Sequence, residues 1–419
     1  MAGTGGIRAR RAIAAHLRRL AALTVLLALS GLAACQTATG PGSGGPFPGA
    51  FRQTAAEETA ERVNVAVADA IDRIAATYID PVDEDALRRT AATYIVDGMQ
   101  RGESEEALVK GAVTAMVGTL EGNGRVVDRE LLSGRFGSGT ASVGIFEAAD
   151  GQGGWVIVRV HPLGALEGTP VRPGWRLMSI DGQPRQSMDK DDAIRRLQGE
   201  MDTPVQLGFL DPFGKPAAFN VRRVRLGAME AVVNRCGTPA VVQIMRLTGL
   251  TVRELLRFLL DCEPDELVLD LRGNSGGTLD AVVDTAALFV GNSVVFHIRE
   301  RDGVVERRKA GATRRYAGRL LVLTDRYTAS GAELLVQALR RGAGALVAGE
   351  TTPGHDFVHT VMPLKGDLIM ALQTGRFEGP DGSAIVPVVP DIEMRDDWNT
   401  VPDEVMQAAP ALLARSRAS

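Results

Sequence analysis

Hydrophobic positions are spaced in three ways along the chain, and the changes between them mark its parts. Over residues 55–121 apolar side chains recur at helical spacing. Val63, Val67, Ile71 and Ile74 form one stripe, Leu87, Ala91, Tyr94 and Ile95 a second, and Leu108, Val109, Ala112 and Met116 a third. Pro81 and the acidic residues after it end the first helix. Residues 122–140 are weakly patterned and read as a linker. From Val143 to Val224 the pattern shifts to short β-rich runs. Trp155–Val160 and Arg176–Ile180 are predicted strands, the second closed by the turn pair Asp181-Gly182. Lys190–Leu197 is a short helix, and Val205–Leu210 and Ala218–Val224 are a final strand pair. Beyond Pro239 strands and helices alternate. Strands are expected at 239–247, 267–271, 320–323, 345–347, 358–364 and 368–372, and helices at 252–260, 279–289 and 331–341. Such alternation predicts a mixed α/β layer fold.

The amino-terminal segment follows none of these patterns. Arg8, Arg10, Arg11, Arg18 and Arg19 precede an apolar run, Leu20–Ala34, with no acidic residue among them. The run is about 15 residues long, short of the roughly 20 that a spanning helix needs, so residues 1–34 read as an export signal. It ends Leu32-Ala33-Ala34-Cys35, which resembles a lipoprotein cleavage box, the alternative being a plain secretory signal with an incidental cysteine. Residues 35–54 are then a flexible tether. A lipid on Cys35 would hold the body on a periplasm-facing membrane. Gln36 at the next position resembles outer-membrane sorting more than inner.

Composition narrows the classes. Apolar residues make up 45% and charged residues 23%, an ordinary globular balance. The formal charge of −4 becomes −9 once the five signal arginines are removed, which argues against nucleic-acid binding. In an oxidising compartment Cys236 and Cys262 are candidates for a disulfide. It would close a loop of about 27 residues and contribute about 3.5 kcal/mol through chain entropy. Metal binding by these two cysteines is the alternative.

Five segments carry the candidate chemistry. Ser142-Val143-Gly144-Ile145 and the run Pro170–Gly182, ending Ser-Ile-Asp-Gly, resemble the carboxylate-binding loop and the following motif of PDZ domains, with Trp175 where that family has aspartate. The resemblance implies capture of a peptide as an added strand, its terminal carboxylate held by backbone N–H groups of residues 142–145, or a shell that only gates its neighbour. Leu267-Val-Leu-Asp-Leu-Arg-Gly-Asn-Ser-Gly-Gly-Thr-Leu-Asp280, Val322-Leu-Thr-Asp-Arg-Tyr-Thr-Ala-Ser-Gly-Ala-Glu333 and Val347-Ala-Gly-Glu-Thr-Thr-Pro-Gly-His-Asp-Phe-Val-His-Thr360 are similar to three blocks of the carboxy-terminal processing (tail-specific) serine peptidases. Gly379–Gly382 and Val389–Ile392 also look like that family. Together the resemblance covers roughly residues 75–395.

This resemblance implies a PDZ domain at 141–226 and a layered peptidase core at 227–396 of the ClpP/crotonase-like kind, following a helical region and linker at 55–140; residues 397–419 are left as a tail. It makes Ser330 the nucleophile and Gly277, with the amide near Ser330, the oxyanion hole. Ser330 at the start of a helix suits developing negative charge, although a serine there is also an ordinary helix cap. Gly276-Gly277 also fit a tight turn, or more remotely a phosphate loop. One departure stands at the centre. The family's lysine base is His355 here and its glutamine partner is His359. None of the five lysines (Lys110, Lys190, Lys215, Lys309, Lys365) falls in the motif.

A histidine can take a serine proton at neutral pH without the desolvation that a lysine requires. If the segment is a regular strand, residues four apart share a face, so His359 could orient His355. The opposing reading is a site that has lost its base, since a histidine side chain is shorter and a misplacement of about 1 Å costs roughly 100-fold in rate. A metal held by the two histidines would need a third ligand that the sequence does not supply. The function expected is therefore a cofactor-free exported serine peptidase acting on proteins or peptides with free carboxy-termini. The alternatives are a non-catalytic, lipid-anchored adaptor and, more distantly, a small-molecule enzyme on the same core; the partners expected besides substrate are an adaptor protein or further copies of the chain in a homo-oligomer.

Overall fold

The computed structural model describes residues 55–121, 124–129, 141–149, 154–226, 232–311, 314–364, 366–395 and 403–415. The signal and tether, with Cys35, lie outside the described residues, as do Lys365 and most of the 122–140 segment. The chain divides into two compact units. One runs to Val126 and takes back Val361–Leu372; the other holds Val127–Thr360 and everything from Gln373.

The first unit is helical. Helices α1 (Ala55–Thr77), α2 (Glu84–Gln100) and α3 (Glu105–Gly118) begin where the chemistry of their first residues directs. Asp83 and Ser104 accept hydrogen bonds from the amides of Ala86 and Ala107, satisfying donors that the first turn of a helix leaves free. The apolar stripes turn inward: Val63, Ile74, Leu87, Ala112 and Met116 are all at most 2% exposed. Burial of each larger side chain is worth about 1.5–3 kcal/mol. Tyr94 closes the α2–α3 contact over Gly111, where any Cβ would stand 2.0 Å from the ring. Leu364, Leu368, Met370 and Leu372, returning from far along the chain, complete this core.

The second unit opens with an antiparallel module. Strands β1 (Ile145–Ala149), β2 (Trp155–Val160), β3 (Arg176–Ile180), β4 (Pro204–Leu210) and β5 (Pro216–Arg222) lie in that order in one sheet, with helix α4 (Lys190–Leu197) packed against it. Ile157, Leu177, Leu207 and Phe209 form the module's centre, and Trp175 packs edge-on to Phe209 there. That burial gives Trp175 a packing role at the position that departs from the PDZ pattern. Among the described residues, the outer edge of β1 has no strand partner.

The rest of the second unit is built on a sheet in the order β6 (Val232–Arg235), β7 (Ala240–Ile244), β8 (Glu266–Asp270), β11 (Arg319–Thr324), β12 (Leu346–Gly349) and β15 (Ile392–Glu393). All neighbours are parallel except β6 and β7. Leu267, Val268 and Leu269 are each fully buried, as a parallel strand covered on both faces must be. Alternate residues serve the two layers. Leu267, Leu269 and Val322 meet helices α5 (Gly249–Cys262), α6 (Leu279–Val290) and α7 (Gly331–Ala343). Val268, Leu321, Leu323 and Ala348 meet α8 (Glu404–Arg415) through Val405, Ala409, Leu412 and Leu413.

The structure differs from expectation in three places. Residues 404–415, read as tail, form α8. The segment read as linker contains a strand, Arg125–Asp128. Strands β9 (Val294–Glu300) and β10 (Val305–Lys309) form an unforeseen hairpin, and β9 also pairs with β14 (Leu368–Glu378), which follows β13 (Phe357–Pro363). Cys236 after β6 and Cys262 at the end of α5 are joined as a disulfide, with Cα atoms 5.8 Å apart.

Candidate active site

Three loops leaving the carboxyl ends of β8, β11 and β12 carry Gly276-Gly277, Ser330 and His355. Asn274 fixes the first loop against the second. Its amide Nδ2 donates to the Ile244 carbonyl (2.9 Å), its Oδ1 accepts from Gly276 (2.8 Å), and its carbonyl accepts from Ala329 (3.0 Å). The two glycines are required by space. Gly276 has φ +95° and a Cβ there would lie 2.8 Å from the Gly331 nitrogen; a Cβ on Gly277 would lie 1.8 Å from the Leu247 carbonyl oxygen. A Cβ built on Gly331 would stand 3.5 Å from the Gly277 nitrogen, so the two loops lie close together here. Neither the Gly277 nor the Gly331 N–H donates to a protein acceptor among the described residues. They have the character of oxyanion-hole donors.

Ser330 sits at the start of α7 with φ 55° and ψ −124°, a backbone conformation that an L side chain rarely adopts. Such strain persists only where the surroundings over-determine it, and Ser330 is half-buried on this sharp strand-to-helix turn. Asp325 is one part of that restraint. Its Oδ1 accepts from the amides of Gly273 (2.9 Å) and Tyr327 (3.0 Å) and lies 3.0 Å from the Thr328 hydroxyl, binding the Ser330 loop to the glycine loop. Burial pushes the Asp325 carboxyl up, and the Gly273 N–H opposes it.

Glu333 supplies the other part. Its carboxylate is fully buried and, among the described residues, pairs with no cation. Oε2 accepts from the amides of both Ser330 and His355, at 2.9 Å each. Oε1 accepts from the Gly354 amide (2.6 Å) and the Thr352 hydroxyl (2.5 Å). One carboxylate oxygen thus joins the backbone of Ser330 to that of His355. Glu333 was not singled out in the sequence. The signal was present in the Ser330-x-x-Glu333 spacing of a helix-capping pair, but the reach of its second oxygen to residues 352 and 354 is a tertiary fact.

The two histidines are arranged otherwise than expected. His355 lies in the loop before β13, which begins at Phe357, so His355 and His359 do not share a face of one strand. Between them Asp356 is drawn toward β14: its carbonyl accepts from Phe377 (2.6 Å) and its carboxylate pairs with Arg376 (3.1 Å). Both histidines are exposed. No hydrogen bond joins the side chains of Ser330 and His355 among the described residues.

Comparison with known proteins places this arrangement of loops. Residues 239–394 match the sequence model of peptidase family S41. Among curated relatives, the chain is 28% identical to a carboxyl-terminal-processing protease of Synechocystis, over 51% of this chain and 54% of that one. It is also 28% identical to a chloroplastic C-terminal processing peptidase of Tetradesmus obliquus, over 63% and 62%. The chain thus spans between about half and two thirds of the length of these relatives. The solved structure of a photosystem II D1 C-terminal processing protease superposes with a TM-score of 0.60 at 23% identity, covering 79% of this chain and 92% of that one, which establishes a shared fold. A putative S41 protease from Bacteroides fragilis superposes at 0.50 with 16% identity.

The region matched by the family model also holds a buried charge network where β8 ends. Arg272 grips Asp270 through Nε (3.0 Å to Oδ1) and a terminal nitrogen (3.0 Å to Oδ2), and reaches Asp403 at the start of α8 (2.6 Å). Burial alone would push the Asp270 carboxyl up, but Arg272 and then Arg159 hold it well below the usual carboxylate range. Ahead of the matched region, Gly144 has φ +77° and its amide donates to the Ser142 hydroxyl (3.3 Å). The Val143 side chain is buried, and Ile145 pairs with Val160 as the first residue of β1. No cluster of three metal-ligating side chains occurs among the described residues.

Proposed function

We propose that the chain is an exported serine-type peptidase with Ser330 as nucleophile, the amides of Gly277 and Gly331 as oxyanion donors, and His355 as general base in place of lysine. The single observation that carries this reading is the strained backbone of Ser330, held beside two amides that have no protein acceptor. A site kept only as a scaffold gains nothing from that strain.

In the reaction, the Ser330 hydroxyl gives its proton to the His355 imidazole as its oxygen attacks the scissile carbonyl carbon. The oxyanion is received by the two amides, and His355 returns the proton to the leaving amine. Water then repeats the sequence on the acyl-enzyme. The step requires the His355 ring to turn toward the Ser330 hydroxyl; the backbone amides of the two residues already share one Glu333 carboxylate oxygen. Residues 141–226 act as a PDZ module that takes a substrate tail along the open edge of β1, with the terminal carboxylate at Ser142–Ile145. Amidating that terminus should weaken binding. A lipid on Cys35 holds the protein on a periplasm-facing membrane, the outer one in this reading.

A second reading has one observation in its favour, the exposed His355 ring with no bond to Ser330. On it the protein is a lipid-anchored peptide-binding adaptor with a silent core. Fluorophosphonate labelling separates the two. Labelling of the natural protein, lost in both Ser330→Ala and His355→Ala, supports the peptidase. Labelling only after His355→Lys supports the adaptor.

A further inference from the structure

A cavity of about 580 Å3 lies at the carboxyl ends of the parallel strands, bounded by Asp270, Thr324 and Gly349 on the core side and by residues of β2 on the module side. Gly277, Ser330 and His355 do not line it. Crevices at the carboxyl ends of parallel strands and between modules are where α/β proteins most often bind small molecules.

Arg159 of β2 projects into this charge network and is only 5% exposed. Its contacts are poor for a buried guanidinium. One terminal nitrogen lies 3.5 Å from Asp270 Oδ1, the other lies 3.8 Å from the Met245 sulfur, and Nε–H finds no acceptor among the described residues. Asp270 cannot do more, because Arg272 engages both of its oxygens at 3.0 Å and Gln243 donates to one at 3.2 Å. The other lining arginines are already matched: Arg272 also holds Asp403, and Arg326 and Arg395 share Glu350. Asp325 also acts on Arg159 through space, but with Asp270 as its one loose ion-pair contact the buried guanidinium still has a hydrogen-bond acceptor missing. Val160, Pro173 and Met394 give the same cavity an apolar side.

We propose that this cavity binds a small organic carboxylate, the carboxylate completing the hydrogen bonding of Arg159 and the apolar part lying against Val160, Pro173 and Met394. Arginine favours two-point recognition of such a group. The proposal does not depend on Ser330 being catalytic. Its consequence for the site is direct, because Asp270, Thr324 and Gly349 begin the three loops that end in Gly277, Ser330 and His355.

The test is calorimetric titration of the full chain, in detergent, with hexanoate, hexanamide, inorganic phosphate and acetyl-alanyl-alanine. Hexanoate should bind at a single saturable site, hexanamide at least tenfold more weakly, and Arg159→Met should cost hexanoate at least tenfold. Met394→Trp fills the cavity without touching a charge, and should remove binding at an unchanged unfolding midpoint; it keeps the test valid if Arg159→Met does not fold. Acetyl-alanyl-alanine binding more tightly than hexanoate, and dependent on Arg159, names a peptide terminus as the natural source; weaker binding names a free acid. Equal binding of the amide, phosphate binding as tightly as hexanoate, or hexanoate binding untouched by both variants would overturn the assignment.

Discussion

Replacing Glu333 with glutamine changes the site by one proton-bearing nitrogen and little volume. In the native protein two oxygens receive four donors, the amides of Ser330, Gly354 and His355 and the hydroxyl of Thr352. In Glu333→Gln the side-chain NH2 must face one of these pairs. If it takes the Oε2 position, the Ser330 and His355 amides lose their acceptor. If it takes the Oε1 position, Gly354 does, while Thr352 can turn its hydroxyl and accept. A buried donor left without an acceptor costs about 1–3 kcal/mol, so the substitution should cost about 2–4 kcal/mol of stability. Glu333→Ala should cost about 3–5 kcal/mol, because every donor is orphaned and a void remains. The effect on chemistry should exceed the effect on stability. Ser330 and His355 are held together through this carboxylate, and loosening by about 1 Å costs roughly 100-fold in rate. Urea denaturation gives the first quantity and the rate of fluorophosphonate labelling at Ser330 gives the second. A Gln variant that unfolds at the native midpoint and labels at the native rate would refute the argument.

Three further outcomes are expected. Thiol titration of denatured, unreduced protein should find neither Cys236 nor Cys262 free, and Cys236→Ser should cost about 3–4 kcal/mol. Asp270 has its folded pKa depressed, so its contribution is present above the unfolded carboxylate range and is lost as pH falls through the lower folded value. Asp270→Asn should therefore lower the unfolding temperature at pH 7 by an amount that shrinks as acid titrates the native carboxylate, and a pH-independent difference would contradict the ion-pair account. Membrane fractionation should find the mature protein with membranes and Cys35→Ala in the soluble fraction; an untreated protein found wholly soluble after export would remove the lipid anchor.

Much of the core was legible because its strands are buried on both faces. Leu267–Leu269 and Leu320–Leu323 are short apolar runs that no amphipathic surface element would carry, and the helices between them keep a clear stripe. The β9–β10 hairpin was not legible. Val305–Lys309 is mostly exposed and charged, so its pairing rests on backbone hydrogen bonds that leave no hydrophobic signature. Helix α8 had its signature, with Val405, Ala409, Leu412 and Leu413 at helical spacing, but Pro410 within it argues against a helix. At the site, the motif spacing put Gly277 after a buried strand and Ser330 at a helix start, as the structure has them, but it read His355 onto a strand with His359. It could not show that β13 starts two residues after His355, nor that a capping glutamate would reach across to the base loop. Both depend on how far each loop travels before the next strand begins.

The first unit is sewn shut late. Its helices are complete by Gly118, yet the apolar surface they share is covered by Leu364, Leu368, Met370 and Leu372. At translation rates of about 5–20 residues per second, those covering residues emerge roughly 10–50 s after the helices. During that interval the helical segment has an open greasy face and no finished core, so it is a natural client for holding chaperones.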